Sequence, residues 1–160
     1  MPALTVRRAT VEDIAFIMAT ERLPGYERTV GRFEEQEHRA QIGDPNWLYL
    51  VAEDKGFAIL QGLGNRDGNL CMRRFIVAEQ FRGIGSRLLP SVINAIFEQT
   101  RTHRLWLHYV PGNEPAARLY ARHGFQIEGI EREAGLRPDG TRFDLINASL
   151  LRPEWAVTQG

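Results

Sequence analysis

The chain has 160 residues, 43% hydrophobic and 25% charged, with 20 basic and 20 acidic side chains that cancel to a formal net charge of zero. That length suits one domain, residues 1–160, with a real core, and the charge balance speaks against a global electrostatic grip on nucleic acid or an anionic membrane. A single cysteine, Cys71, excludes an intramolecular disulfide and a cysteine-rich metal site, no histidine motif suggests a metal, and no apolar run approaches the ~20 residues that span a bilayer.

The opening stretch MPALTVRRATVED has no apolar core of a secretory signal, so a cytoplasmic location is expected. Within it the alternation over Leu4 to Arg8 predicts a short strand. Thr10 with Asp13 three residues on predicts a helix start, and Ile14, Ile17 and Met18 give that helix its apolar face. Pro24, Gly25 and Gly31 interrupt it before a second, highly charged helix in RFEEQEHRAQI. WLYLVAED and FAILQGL predict a hairpin about Asp54-Lys55-Gly56, and a third strand follows from Leu70 to Val77. The pattern then turns helical, with Ile84, Leu88, Val92, Ile93 and Ile96 on one face. Pro90 inside it predicts a kink or a helix that relies on packing. RLWLHYV predicts a strand. NEPAARLYARHG predicts a helix with Asn113 as N-cap, Pro115 in the first turn and Gly124 at the stop. FQIEGIERE and FDLINASLL, joined by the turn-rich GLRPDGTR, complete the chain. The order β-α-α-β-β-β-α-β-α-β-β predicts a mixed α/β sheet of about seven strands with a strand-helix-strand crossover at its centre.

AEQFRGIGSRLL, residues 78–89, marks that crossover. A strand runs into Gln80, Gly83 and Gly85, and a helix begins. Helix N-termini leave backbone N–H groups unpaired and carry partial positive charge, and glycine lets a bulky anion approach the backbone. Arg82 and Arg87 add charge. The pattern suits a pyrophosphate, or is a plain turn that closes a strand onto a helix. It is not a P-loop, because no lysine follows the glycines and Lys55 is the only lysine in the chain. It is not a dinucleotide fingerprint either, because Leu88 stands where a third glycine belongs.

Gln80-x-x-Gly83-x-Gly85 resembles motif A of the GCN5-related N-acetyltransferases, the GNAT superfamily. NEPAARLYARHGF resembles that family's later helix at Asn113, Ala116, Leu119, Tyr120, Gly124 and Phe125. The two motifs stand in the family's order, and LWLHYVPGN resembles the fifth strand of ribosomal-protein alanine N-acetyltransferases. The resemblance implies a GNAT fold whose fourth and fifth strands, here 70–77 and 104–110, splay into a V that holds acetyl-CoA. It places pantetheine on the backbone of Phe75, Ile76 and Val77. It places pyrophosphate on Gln80, Phe81, Arg82, Gly83, Ile84, Gly85 and Ser86, with Asn113 and Ala116 beside the cofactor. The turn into motif A is shorter than is usual in the family, since only Ala78 and Glu79 separate Val77 from Gln80.

The implied activity is acetyl transfer from acetyl-CoA to a primary amine of a small molecule or peptide. A non-catalytic acyl-CoA-binding sensor on the same fold is the alternative. Tyr120 is the implied acid for the departing thiolate, or a core aromatic. Asn113 is a cofactor contact, a helix cap, or both. His108 takes the position of the family's glutamate base, or is a strand histidine with a satisfied hydrogen bond. Glu21, Tyr26 and Glu27, on and around the loop RLPGY, are the candidates for the acceptor side, where the two glutamates bind or deprotonate a cationic amine or are simply solvated loop charges. Cys71 has no histidine or aspartate beside it and is expected to fill apolar space. A homodimer through the last strand and its edges is expected.

Overall fold

The computed structural model describes residues 3–27 and 31–160. Thr10 starts the first helix as a reciprocal cap. Its N–H donates to Asp13 Oδ2 at 2.8 Å and its Oγ1 accepts from the Glu12 N–H at 3.3 Å. A 3₁₀ turn, Val11–Asp13, leads into α1, Ile14–Glu21, and α2 follows at Glu35–Ile42. The strands are β1 (Arg7–Arg8), β2 (Trp47–Ala52), β3 (Gly56–Gln61), β4 (Asn69–Val77), β5 (Arg104–Tyr109), β6 (Gln126–Leu136) and β7 (Arg142–Leu151). α3 (Ile84–Gln99) connects β4 to β5, α4 (Glu114–Arg122) connects β5 to β6, and α5 (Arg152–Gln159) ends the chain.

One sheet holds all seven strands in the order β1-β2-β3-β4-β5-β7-β6, and every pairing is antiparallel except β4 with β5. The mixed α/β order expected from the sequence is present, with three differences. The first strand pairs only over Arg7–Arg8, because Leu4 and Val6 pack against the core without a ladder. The last hairpin is longer than its sequence suggests, since β6 runs on through two register shifts to Leu136. α5 was not expected at all. Its start is fixed by Glu154 Oε1, which accepts from the Leu151 N–H at 2.8 Å.

α3 runs through Pro90 without interruption, and packing carries it there. Leu88, Leu89, Val92 and Ile96 are fully buried, in the core shared with Leu105 and Leu107 of β5. Its far end is capped by Arg152, whose guanidinium donates to the carbonyls of Phe97 at 2.8 Å, Thr100 at 2.8 Å and Thr102 at 2.9 Å. Trp155 stacks on Phe97 beside it and donates to Asn94 Oδ1. Arg152→Ala strands three carbonyls, so a loss of about 2–3 kcal/mol is expected. Thermal unfolding checks it, as a fall in Tm of about 5–10 °C.

The expected dimer edge also moves. The last strand, β7, is paired on both sides and offers no edge. The edge on that side of the sheet belongs to β6, which exposes Ile127 and Ile130, and β1 forms the other. No helix among the described residues is long and apolar enough to cross a membrane.

Candidate active site

β4 and β5 pair in parallel only at Asn69–Arg104, Leu70–Leu105 and Cys71–Trp106. Beyond Cys71 the ladder stops, and the two strands part into the expected V. Alternation then decides what faces the gap. The Ala78 N–H turns toward β3 and donates to the Lys55 carbonyl at 2.8 Å. Residues at odd steps from it, Phe75 and Val77, therefore turn their main-chain groups away from β3, toward the parted β5. The Val77 carbonyl on that side accepts the Tyr26 hydroxyl at 2.6 Å. Ile76 faces the other way and pairs with Phe57.

The turn after β4 enters α3 through two backbone conformations in the left-handed region, Phe81 at φ 60° and Gly83 at φ 72°. Gly83 is the N-cap residue, no side chain caps α3, and a Cβ there would meet nothing within 4 Å. The first N–H groups of this long helix are thus open to an anion. Gly85 serves packing instead. A Cβ there would lie 3.3 Å from Leu119 Cδ2, so its absence lets α4 close on α3. Gln80, Phe81, Arg82 and Ser86 are exposed, and Ile84 is buried under the turn. Arg122 of α4 reaches the Ser86 hydroxyl at 3.4 Å. The exposed turn, the uncapped amides and the unladdered edge of β4 fit a long ligand with a pyrophosphate at one end.

α4 brings Tyr120 to the other wall. Asn113 caps this helix, its Oδ1 accepting from the Ala116 N–H at 3.3 Å. Tyr120 is buried against Tyr109 and Phe125, with ring centroids 5.8 and 5.6 Å away. Its hydroxyl makes no hydrogen bond among the described residues and is not among their fully buried polar atoms. Burial first, and Tyr109 second, push its pKa well above the ordinary tyrosine value, so it stays protonated at neutral pH.

β5 splits its side chains between two faces. Leu105, Leu107 and Tyr109 enter the core under α3 and α4, while Arg104, Trp106 and His108 project from the opposite face. His108 Nε2 lies 3.0 Å from Glu131 on β6, and Asn147 of β7 donates to the same carboxylate at 2.9 Å. The His108 contact is the main reason the Glu131 carboxyl sits below its usual range. An ionised Glu131 accepts the Nε2 proton, which leaves the lone pair of the neutral ring on Nδ1. The sequence reading missed Glu131 and Asn147, because only strand pairing brings them to His108.

The acceptor-side candidates fare differently. Glu21 is corrected: it is the last residue of α1 and its side chain is fully buried, 3.0 Å from Arg22 Nη1 and 3.0 Å from His38 Nε2. It does not line a loop. Tyr26 is buried with its hydroxyl on Val77, at the end of β4 rather than in solvent. Glu27 is exposed and accepts from the Gly25 N–H at 2.9 Å. Residues 28–30 of that connection lie outside the described residues. Cys71 is buried, and burial pushes its thiol up to about 11, which suits a filler and not a nucleophile.

The acetyltransferase (GNAT) family model matches residues 14–125. A spermine/spermidine N(1)-acetyltransferase of Bacillus subtilis is 32% identical over 93 residues, 53% of this chain and 60% of the relative. A Bacillus subtilis protein assigned as a ribosomal N-acetyltransferase is 33% identical over 81 residues, 49% of this chain and 44% of its own length. The matched stretches thus span about half of this chain and 60% or less of these relatives. In the fold alone, the spermidine N-acetyltransferase of Vibrio cholerae, solved with CoA and spermine, superposes with a TM-score of 0.83 at 22% identity, over 96% of this chain and 98% of that one.

Proposed function

The chain belongs to the acetyltransferase (GNAT) family, and from that premise we propose that it is an acetyl-CoA-dependent N-acetyltransferase acting on a primary amine. The observation that carries this is the parting of β4 from β5 beyond Cys71–Trp106, beside the uncapped N-terminus of α3. When bound, acetyl-CoA supplies the acetyl thioester.

The chain's own residues divide the work. The amides from Gln80 to Ser86, with Arg82, hold the pyrophosphate. The edge of β4 at Phe75 and Val77 binds the pantetheine arm through its main-chain groups. Tyr26 anchors the connection after α1 to that same edge. Nδ1 of His108, set by Glu131, takes the proton of the attacking amine. The new C–N bond forms as the C–S bond breaks, and Tyr120 gives its proton to the departing sulfur.

Calorimetric titration with acetyl-CoA checks the donor site. Binding is expected, with amide shifts confined to the 75–77 and 80–86 segments in backbone NMR; absence of heat and of shifts there contradicts the donor assignment.

A further inference from the structure

The face of the sheet bearing α3 and α4 is closed by the core, so an acceptor reaches the parted strands from the opposite face. There the bulge in β4 does something a regular strand cannot. Met72 pairs with Leu60 and enters the core under α3, while Arg74 pairs with Ile59 and lies against Phe33 on the other face. Arg73 is the extra residue between them. Its guanidinium sits over Trp47 at 6.0 Å and donates to Gln61 Oε1 at 2.6 Å, so it also lies on the acceptor face. Two consecutive arginines therefore point the same way.

Neither has a carboxylate among the described residues. Arg74 donates to the main-chain carbonyls of Gly31 at 3.1 Å and Arg73 at 2.8 Å. Burial first, and the neighbouring Arg73 charge second, hold its pKa below the usual value, with Glu21 opposing them. The acidic groups nearby are engaged elsewhere: Glu21 with Arg22 and His38, Glu128 with Arg104, Glu131 with His108. Below the arginines an open cleft of about 450 Å³ is lined by Gln61, Asn69, Cys71, Arg104 and Trp106, with no carboxylate in its wall. The cleft wall itself offers a polycation no carboxylate.

Register sets the distance from the chemistry. Cys71 pairs with Trp106, so along the two parallel strands Arg73 follows Cys71 by two residues as His108 follows Trp106, on the same face of the sheet. We propose that Arg73 and Arg74 form an anion subsite for the acceptor, which is a small amine carrying a carboxylate or phosphate close to its amino group; this rests on the acetyl-transfer function above. The amine meets His108 while the anion is held by the arginines. Guanidinium forks suit both anions, and Arg73, exposed, is the one that reaches solvent.

The test is a panel assayed with acetyl-CoA for thiol release and for acetylated product. It pairs amino acids with their carboxamides and aminoalkyl phosphates with the matching amino alcohols, and it includes spermidine. An anionic acceptor is expected to exceed its neutral partner at least about tenfold in kcat/KM, and Arg73→Gln to raise its KM about tenfold with the KM for acetyl-CoA unchanged. The carboxylate and phosphate arms identify the anion. Spermidine outrunning every anionic acceptor, or an unchanged KM in Arg73→Gln, overturns the subsite and leaves acetyl transfer standing. Acetyl-CoA binding with no thiol released by any amine overturns acetyl transfer, and the subsite with it.

Discussion

Tyr120→Phe is expected to lower kcat about a hundredfold while the affinity for acetyl-CoA stays within about twofold of wild type. The substitution removes only the hydroxyl. The ring contacts with Tyr109 and Phe125 remain, and no hydrogen bond is lost among the described residues, so the fold has no reason to weaken. What disappears is the proton for the departing sulfur. Since burial holds the Tyr120 pKa far above neutrality, the wild-type acid stays loaded through the physiological range. The rate deficit of the variant is therefore expected to be flat between about pH 6 and 9. Steady-state kinetics with a thiol-release assay, beside calorimetry for acetyl-CoA, measure both halves. Equal turnover in the two proteins makes Tyr120 a packing residue only.

His108→Ala carries the second large effect. Loss of the base is expected to cost about a hundredfold in kcat at neutral pH, with recovery as pH rises and the free amine loses its own proton. Glu131→Gln separates base from support. In the proposed reaction Glu131 is a positioning residue, which holds the ring at Nε2 and is itself held by Asn147. Its variant is expected to lose about tenfold in kcat, to alter the acidic limb of the pH–rate profile, and to leave the KM for acetyl-CoA unchanged. A purely structural role for Glu131 shows instead as lost thermal stability with an unaltered pH profile. There is a pH cost to the pairing as well. The folded-state pKa of Glu131 is depressed, so its contribution to stability is present above the unfolded carboxylate pKa and fades as pH falls through the folded value.

What the sequence disclosed was local. Gly83 and Gly85 announced the turn into α3 because glycine is needed at fixed places there, one for a positive φ and one for the approach of Leu119. Thr10 and Asn113 announced helix starts because a cap acts over two or three residues. What it hid was set by pairing at a distance. The bulge at Arg73 exists only relative to β3, so no periodicity within β4 reveals that Arg73 and Arg74 share a face. Glu131 reaches His108 across β7. Glu21 looked like a loop charge because its partner His38 lies on another helix, and only their packing buries both. α5 was obscured by the apolar run of β7 that feeds directly into it, and the carbonyls that Arg152 caps lie about 50 residues back.

The central claim, that the parted strands are a site of acetyl transfer and not merely of acyl-CoA binding, is tested most directly by following free thiol in a mixture of the protein, acetyl-CoA and an amine panel. The prediction is thiol release that requires an amine, matches acetylated product one for one, and collapses in Tyr120→Phe and His108→Ala. Tight binding of acetyl-CoA with no amine-dependent thiol from the wild-type protein contradicts it and makes the chain a binding module on an acetyltransferase fold.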